Sequence, residues 1–474
     1  MMNHDEVRAC LQALVHQQGW LSLGGELALI DGVWVSGLSA PLWVGLAQAQ
    51  ADTRWFLSLS SGPQGWEEAS ASALFHTEFL PRLARQGVLP LSGGGRIVFE
   101  PQGLDLKGLS LRGADLGSSS NGVSRVDVGG LEAVHKVFRR LDEAQHEAAV
   151  GARLQALQEP LLPRLLGAYH YQAPNGQRLS LGLLSEYFAG EGVHAVLSRS
   201  LRALWRGAPQ EPDLPQLLQG WQDCLGGFHT RLDQALGRAT EEAQAPRFDL
   251  ARHAAQVQAR LQRLLPQVQT DTLLSPPQAR HLADLLASAG HVLVAALQGR
   301  ELAASACHGD LHLSHLLARP EPGGGWQRRL VDVSPLAERA DAPAFRCSHR
   351  LMDWVALARA LDYFYLDEFT FELKRRLGCS SALAMQQQLL ARLDPQQLTP
   401  AVRAELDAVA RPGAAWRAEV QQALCGAAAA EPGWELFYFG RLLQELDYNY
   451  QHRRAHFRCV DFLSALAAWA PKGR

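Results

Sequence analysis

The hydrophobic period of the chain changes near residue 190, and that change limits the folds open to it. Upstream, "LALIDGVWVSGL" and "RWFLSLSSG" have strand composition with glycine turns between them. "GRIVFEP" reads as a further strand after the helical stretch "ASALFHTEFLPRLARQG". Downstream, "LARHAAQVQARLQRLL" puts Ala254, Val257, Leu261 and Leu264 on one helical face. "SPPQARHLADLLASAGHVLVAAL" opens with Ser275 at an N-cap and Pro276 at the first helical position. Leu282, Leu286, Leu293 and Leu297 then keep helical spacing. The order is a β-rich N-terminal part, a mixed middle and a large helical C-terminal part, an α+β chain. At 474 residues it exceeds one hydrophobic core, so two or three domains are expected.

Composition sets the bounds on partners. Hydrophobic residues are 47% and charged residues 20%, enough to bury large cores. A net charge of -3 gives no field to hold nucleic acid or an anionic membrane. An anionic ligand must then be held by local groups or metal ions. The seven cysteines stand singly, as at Cys10, Cys224 and Cys379, with no CxxC pair. That pattern fits free thiols in a reducing compartment. "MMNHDEVRACLQAL" lacks a signal peptide's apolar core, and no apolar run reaches the roughly 20 residues of a bilayer span. A cytoplasmic location is expected.

Chemistry concentrates in "CHGDLHLSHLL", Cys307 to Leu317, between a helical pattern and the short strand "RRLVDV". Phosphoryl transfer needs a carboxylate for the acceptor hydroxyl, ligands for Mg²⁺ and a cation on the nucleotide phosphates. The chain offers these in order. A small-residue loop, "SSSNGVS", runs from Ser118 to Ser124. Lys136 follows in "AVHKVF", then Glu147 in a helix. "LGLLSEYF" has the pattern of a hinge strand. Asp310 sits in "HGD", His315 comes five residues later, and Asp332 stands near the end of "RRLVDV". Alternation puts Lys136 on one strand face with Val134 and Phe138. Singly, each has an ordinary reading: a hairpin turn, an edge charge, a surface acid, a turn cap. Their order is what points to a site. His308, Asp310, His312 and His315 could also surround zinc, but no HExxH is present. No GxSxG elbow supports a serine hydrolase.

These segments resemble the maltokinase family, sugar kinases of the aminoglycoside-phosphotransferase-like group. "SSSNGVSRVDVGGLEAVHKVFRRL" is similar to the family's "QSNTSV…G…LKLFRRL". "LLSEYFAGEG" stands where the family has its hinge, and "LGGFHTRLDQAL" is similar to its "LG…T…LH…AL" helix, with His229 on the histidine. "HGDLHLSHLL" is similar to "HGDLHLGQVL", and "VDVSPLAERADAP" to "IDFEGEP…PLAERR". "RLMDWVALARALDYF" and "RLLQELDYNYQHRR" resemble "SPLRDVAGMLRSFDY" and "KALYEVRYELNNR". The resemblance is strongest from about 117 to 365.

The resemblance implies a bilobal protein-kinase-like fold. It places an N-terminal cap at 1–112, a nucleotide-binding lobe with hinge at 113–190, and a helical C-lobe with catalytic loop and acceptor site at 191–474. It implies ATP-dependent phosphorylation of maltose to maltose 1-phosphate, with trehalose synthase or other α-glucan enzymes as partners. Asp310 would orient and deprotonate the sugar hydroxyl, beside His312. Lys136 would hold nucleotide phosphates, supported by Glu147 or by Glu143. Ser120, Asn121, Gly122 and Ser124 would line the phosphate loop, and Glu186 to Phe188 would hold adenine. Asp332 would bind Mg²⁺, with His315 at the second metal position. Glu445, Tyr448 and Arg453 match positions near the acceptor, while Asp353 and His308 would brace the catalytic loop.

The chain departs from the family in three places. His315 replaces a glutamine, "DVSP" replaces "DFEGEP", and Gln444 and Asn449 replace tyrosine and glutamate. These changes leave room for another acceptor, such as glucosamine or an aminoglycoside. They also leave room for a degraded kinase that binds ligand and regulates.

Overall fold

The computed structural model describes residues 2–17, 27–48, 54–62, 65–102, 106, 108–114, 121–141, 145–209, 214–238, 246–296, 300–378 and 399–469. The chain divides into two units, Met1–Ala189 and Gly190–Arg474.

The first unit holds two antiparallel sheets. Strands β1 (Ala28–Val35), β2 (Leu42–Gln48), β3 (Arg54–Gly62) and β4 (Gly65–Glu68) form a meander, and the short β10 (Arg140–Leu141) pairs with β3. The period of two explains why β2 is buried on both faces. Leu42, Val44 and Leu46 join the main core, while Trp43 and Ala47 face the core that α1 (His4–Gln17) covers with Val7 and Leu11. The Trp43 ring lies so close over its sheet that a Cβ at Gly32 or Gly45 would meet it at 2.3 or 2.5 Å.

The second sheet has the order β5-β6-β11-β12-β9-β8-β7. Its strands are β5 (Val88–Pro90), β6 (Arg96–Pro101), β7 (Leu109–Ala114), β8 (Gly122–Val128), β9 (Leu131–Val137), β11 (Leu165–Gln172) and β12 (Arg178–Glu186). A π turn (Phe75–Phe79) leads into α2 (Leu80–Gln86) and packs Phe75 and Phe79 into the shared core. Gly129 and Gly130 close the β8–β9 hairpin with φ of 60° and 94°, the left-handed pair that a two-residue hairpin turn demands. Asp127 Oδ1 accepts the Gly130 N–H at 2.8 Å and fixes that turn. Helix α3 (Glu147–Ala156) follows β10.

The second unit is mainly helical: α4 (Val193–Arg206), α5 (Leu214–Ala235), α6 (Leu250–Gln269), α7 (Pro276–Ala296), α8 (Leu351–Leu377), α9 (Pro400–Ala429), α10 (Trp434–Gln451) and α11 (Ala455–Trp469). Helix α7 starts at Pro276, as its sequence requires, and Gln278 Oε1 accepts the Ser275 N–H at 2.9 Å. Helix α8 packs against α9 and α10 and is buried over most of its length. A small antiparallel sheet of β13 (Glu191–Gly192), β14 (Leu316–Pro320) and β15 (Trp326–Leu330) flanks the segment 307–315. Among the described residues no helix is long and apolar enough to cross a membrane, and the six described cysteines are free.

Candidate active site

In the first unit the centre is Lys136. Strand β9 runs between β8 and β12, which holds Lys136 opposite Val123 and Leu183. Its Nζ donates to Glu147 Oε2 at 2.7 Å and lies 5.3 Å from the Phe138 ring. The two side chains are only 8% and 12% exposed, so this is a largely desolvated ion pair. Glu147 stands in the first turn of α3, where the helix dipole favours a carboxylate. Of the two acids left open by the sequence, Glu147 makes this pair; Glu143 lies outside the described residues.

Behind Lys136 the chain of hydrogen bonds has a single direction. His76 Nδ1 meets the Ser72 carbonyl at 2.7 Å and must carry its proton there. His76 Nε2 then accepts from His135 Nδ1 at 2.9 Å, and His135 Nε2 accepts from the Tyr169 hydroxyl at 3.0 Å. Burial pushes His135 well below the ordinary histidine range, and the neighbouring His76 adds to the effect. A neutral, fully satisfied chain thus pins β9 directly beside the lysine. Sequence reasoning missed it, although alternation does put His135 on the face opposite Lys136.

The proposed phosphate loop is only partly placed. Ser120 lies outside the described residues. Asn121 precedes β8, Gly122 opens it, and Ser124 is buried opposite His135. Arg139 Nη2 would lie 3.3 Å from a Cβ at Gly122. At the end of β12, the Glu186 N–H donates to the Arg164 carbonyl at 2.8 Å and the Tyr187 N–H to the Glu132 carbonyl at 2.9 Å. Those two donors are committed inside the protein. Phe188 is buried.

In the second unit the centre is the segment His308–His315. Asp353, on the first turn of α8, accepts the His308 N–H at 2.5 Å, the Gly309 N–H at 3.1 Å and His229 Nε2 at 2.8 Å. Gly309 has φ 95°, and a Cβ there would sit 2.0 Å from the Ser334 carbonyl oxygen. His308 Nε2 donates to the Val331 carbonyl at 2.9 Å, which leaves Nδ1 to accept the Asp310 N–H at 3.3 Å. Burial drives His308 down to about 4, so this neutral tautomer is the one the fold keeps. The Ser334 N–H returns to the His308 carbonyl at 2.8 Å. The loop that carries Asp310 and the turn that carries Asp332 are therefore one hydrogen-bonded piece.

Asp310 itself is exposed. Asp332 has φ 62°, a left-handed conformation uncommon for a residue other than glycine, and such strain concentrates at functional sites. His315 joins the two: Nδ1 faces the Asp310 carbonyl at 2.8 Å and Nε2 faces Asp332 Oδ2 at 3.2 Å. The His312 ring lies against His315 with centroids 3.5 Å apart and planes tilted by 36°, and Ser314 Oγ meets the His312 Nδ1 at 2.7 Å. One donor atom each from Asp310, His312 and His315 lies within 4.8 Å of the others. One carboxylate and two imidazoles thus cluster, with the Asp332 carboxylate against His315, and such donors can hold a divalent cation.

The three expected acceptor residues stand on and just after α10. Glu445 accepts from Arg359 Nε at 2.9 Å and from Arg441 Nε at 2.8 Å. Arg359 is wholly buried and also donates to Asp461 at 2.8 Å and Asp362 at 3.1 Å. Glu445 is therefore part of an internal charge network. Tyr448 is 49% exposed, with its ring centroid 4.2 Å from that of His452. Arg453 lies two residues past the helix, with φ 53°.

Residues 110–332 match the model of the phosphotransferase enzyme family. The match covers just under half of the chain. It contains Lys136, Glu147, Asp310, His315 and Asp332. A crystal structure of a glucosamine kinase is similar at TM-score 0.57 and 19% identity, covering 98% of this chain and 99% of that one. A second crystal form matches at 0.57 and 19%, covering 100% and 98%. A glucosamine kinase in complex with glucosamine, ADP and inorganic phosphate matches at 0.54 and 19%, covering 99% and 100%. No curated protein matches the chain. The α+β, kinase-like fold expected from the sequence is thus borne out along nearly the whole chain.

Proposed function

We propose that the protein is an ATP-dependent kinase of a sugar or amino-sugar hydroxyl. The observation that carries this reading is the Asp353-braced loop, which presents an exposed Asp310 and ties it to Asp332. In the proposed reaction the acceptor hydroxyl gives its proton to the Asp310 carboxylate. Its oxygen forms a bond to the γ-phosphorus, and the bond from that phosphorus to the β,γ-bridging oxygen breaks. The products are a sugar phosphate, ADP and a proton. Lys136, held by Glu147, contacts the nucleotide phosphates. Asp332 and His315 would hold a divalent cation, which supplies neutralisation of phosphate charge when bound. Asp310 is assigned to the hydroxyl, and His312 stands beside it.

The comparisons support the coarser class, and they do not extend to maltose or to a trehalose synthase partner. Glucosamine is the acceptor favoured here, because a whole-length fold relative holds glucosamine with ADP. Maltose, phosphorylated at its anomeric hydroxyl, is the finer reading that the sequence resemblance offers. The committed charges of Glu445 argue against carrying its acceptor role over unchanged.

The test is ADP release from ATP with purified protein against glucosamine, maltose, glucose, trehalose and an aminoglycoside. Acceptor-dependent ADP with glucosamine supports the favoured reading, and a response to maltose alone moves the acceptor. ATP binding with no turnover on any acceptor would replace the kinase by a regulatory binding protein.

A further inference from the structure

The chemistry of the cation position differs from what an Mg²⁺ site calls for. Mg²⁺ takes oxygen ligands at about 2.0–2.1 Å in near-ideal octahedra. Here an imidazole stands against the carboxylate of Asp332, whose backbone is left-handed. The orientation of that imidazole is set. His315 Nδ1 lies 2.8 Å from the Asp310 carbonyl oxygen, an acceptor with no hydrogen, so the proton sits on Nδ1. This is the outer hydrogen bond by which metal-binding histidines are usually oriented. Nε2 then aims its lone pair at Asp332 Oδ2, 3.2 Å away.

Two lone-pair atoms do not rest at that distance without a cation between them. Either a proton sits on Nε2 as well, or a metal ion serves both atoms. The separation suits the metal. Two donors about 2.1 Å from one ion, and near a right angle apart, stand about 3 Å from each other. The neighbourhood suits it too. The donor atoms of Asp310, His312 and His315 cluster within 4.8 Å, and the His315 N–H donates to the His312 carbonyl at 3.0 Å, which folds both imidazoles into one turn. Imidazole nitrogen favours first-row transition ions, whose affinity for such sites rises from Mn²⁺ through Co²⁺.

We propose that His315 and Asp332, with Asp310 and His312 adjoining, form a mixed imidazole–carboxylate site that selects a divalent transition ion over Mg²⁺. The proposal rests on the phosphotransfer reading for the use of the ion, and its test does not depend on turnover.

The experiment loads the purified full-length protein with Mn²⁺ and reads ¹⁴N modulation by pulsed EPR. It then measures Co²⁺ affinity by visible absorption, with Mg²⁺ as competitor. Native protein is expected to show a directly bound imidazole nitrogen and to bind Co²⁺ at least tenfold more tightly than Mg²⁺. His315→Gln supplies an oxygen instead, so the ¹⁴N signal falls and Co²⁺ affinity drops at least tenfold, while the surface variant His281→Gln keeps both. An all-oxygen Mn²⁺ spectrum in the native protein overturns the proposal and leaves the His315–Asp332 contact as a protonated ion pair. That native spectrum decides the matter even if His315→Gln does not fold. ADP release with Mg²⁺ beside an all-oxygen spectrum sinks the metal proposal alone. A ¹⁴N signal without any ADP release upholds the metal proposal and sinks the kinase reading.

Discussion

Asp353 Oδ2 accepts the backbone N–H of His308 at 2.5 Å, and its other oxygen accepts that of Gly309 at 3.1 Å. One buried carboxylate on α8 thereby fixes the two residues that precede Asp310. Asp353→Asn turns one acceptor into a donor and sets it against an N–H. The expected result is a folded protein that has lost about 2–3 kcal/mol of stability, since charge-assisted bonds of this kind are worth about that much. Turnover should fall further than nucleotide affinity. Chemical denaturation and steady-state kinetics on the same preparation check both parts.

Lys136 and Glu147 should behave as one unit. Removing either partner takes the nearest counter-charge from a largely desolvated group, a cost of up to about 3–5 kcal/mol in buried pairs. Lys136→Met and Glu147→Gln should each weaken ATP binding at least tenfold. The double variant should lose far less than the sum of the two, because neighbouring changes couple. Calorimetric ATP titration of the three variants tests this, and strict additivity would count against the pairing.

The acid limb of stability has a definite sign. His253 and His349 pack against Phe248 and Phe437, and each is pushed down to about 4, chiefly by burial, with nearby arginines adding to it. Unfolded, each returns to about 6.5. Between those values the unfolded chain binds protons that the native chain refuses, so stability falls as pH drops through that window. Each group contributes a slope of up to about 1.4 kcal/mol per pH unit. Urea midpoints from pH 7 to 4.5 should show the loss, and His253→Leu should remove about one proton from the slope.

Arg359 faces Asp362, Glu445 and Asp461 with no exposure at all. Arg359→Met is expected to cost about 3–5 kcal/mol, as for other buried charges left unpaired. A thermal melt that moved only slightly would show that the three carboxylates take up protons or water instead.

Much of the fold was legible before the structure, and the reasons are local. Ser275 and Pro276 announced the start of α7, and Gly129–Gly130 is a hairpin turn in any context. Lys136, Asp310 and Asp332 stand out in the sequence because phosphotransfer chemistry asks for those residue types in that order. The buried networks were not legible. His76, His135 and Tyr169 are 59 and 34 residues apart in sequence, and only the packing of the sheet on the π turn brings them together. The pairing of Glu445 with Arg359 spans 86 positions and is not visible in the sequence. The charges inside the apolar run "ALARALDYF" were the one available hint.

The central claim is that Asp310 is the working carboxylate of a phosphotransferase. The most direct measurement follows phosphate-ester formation by ³¹P NMR, with ATP, a divalent cation and glucosamine, for the native protein and Asp310→Asn. The account predicts a new ester signal from the native protein and a loss of about a thousandfold or more in the variant, with ATP affinity kept, in line with the loss of a general base. Equal ester formation by both proteins would contradict it.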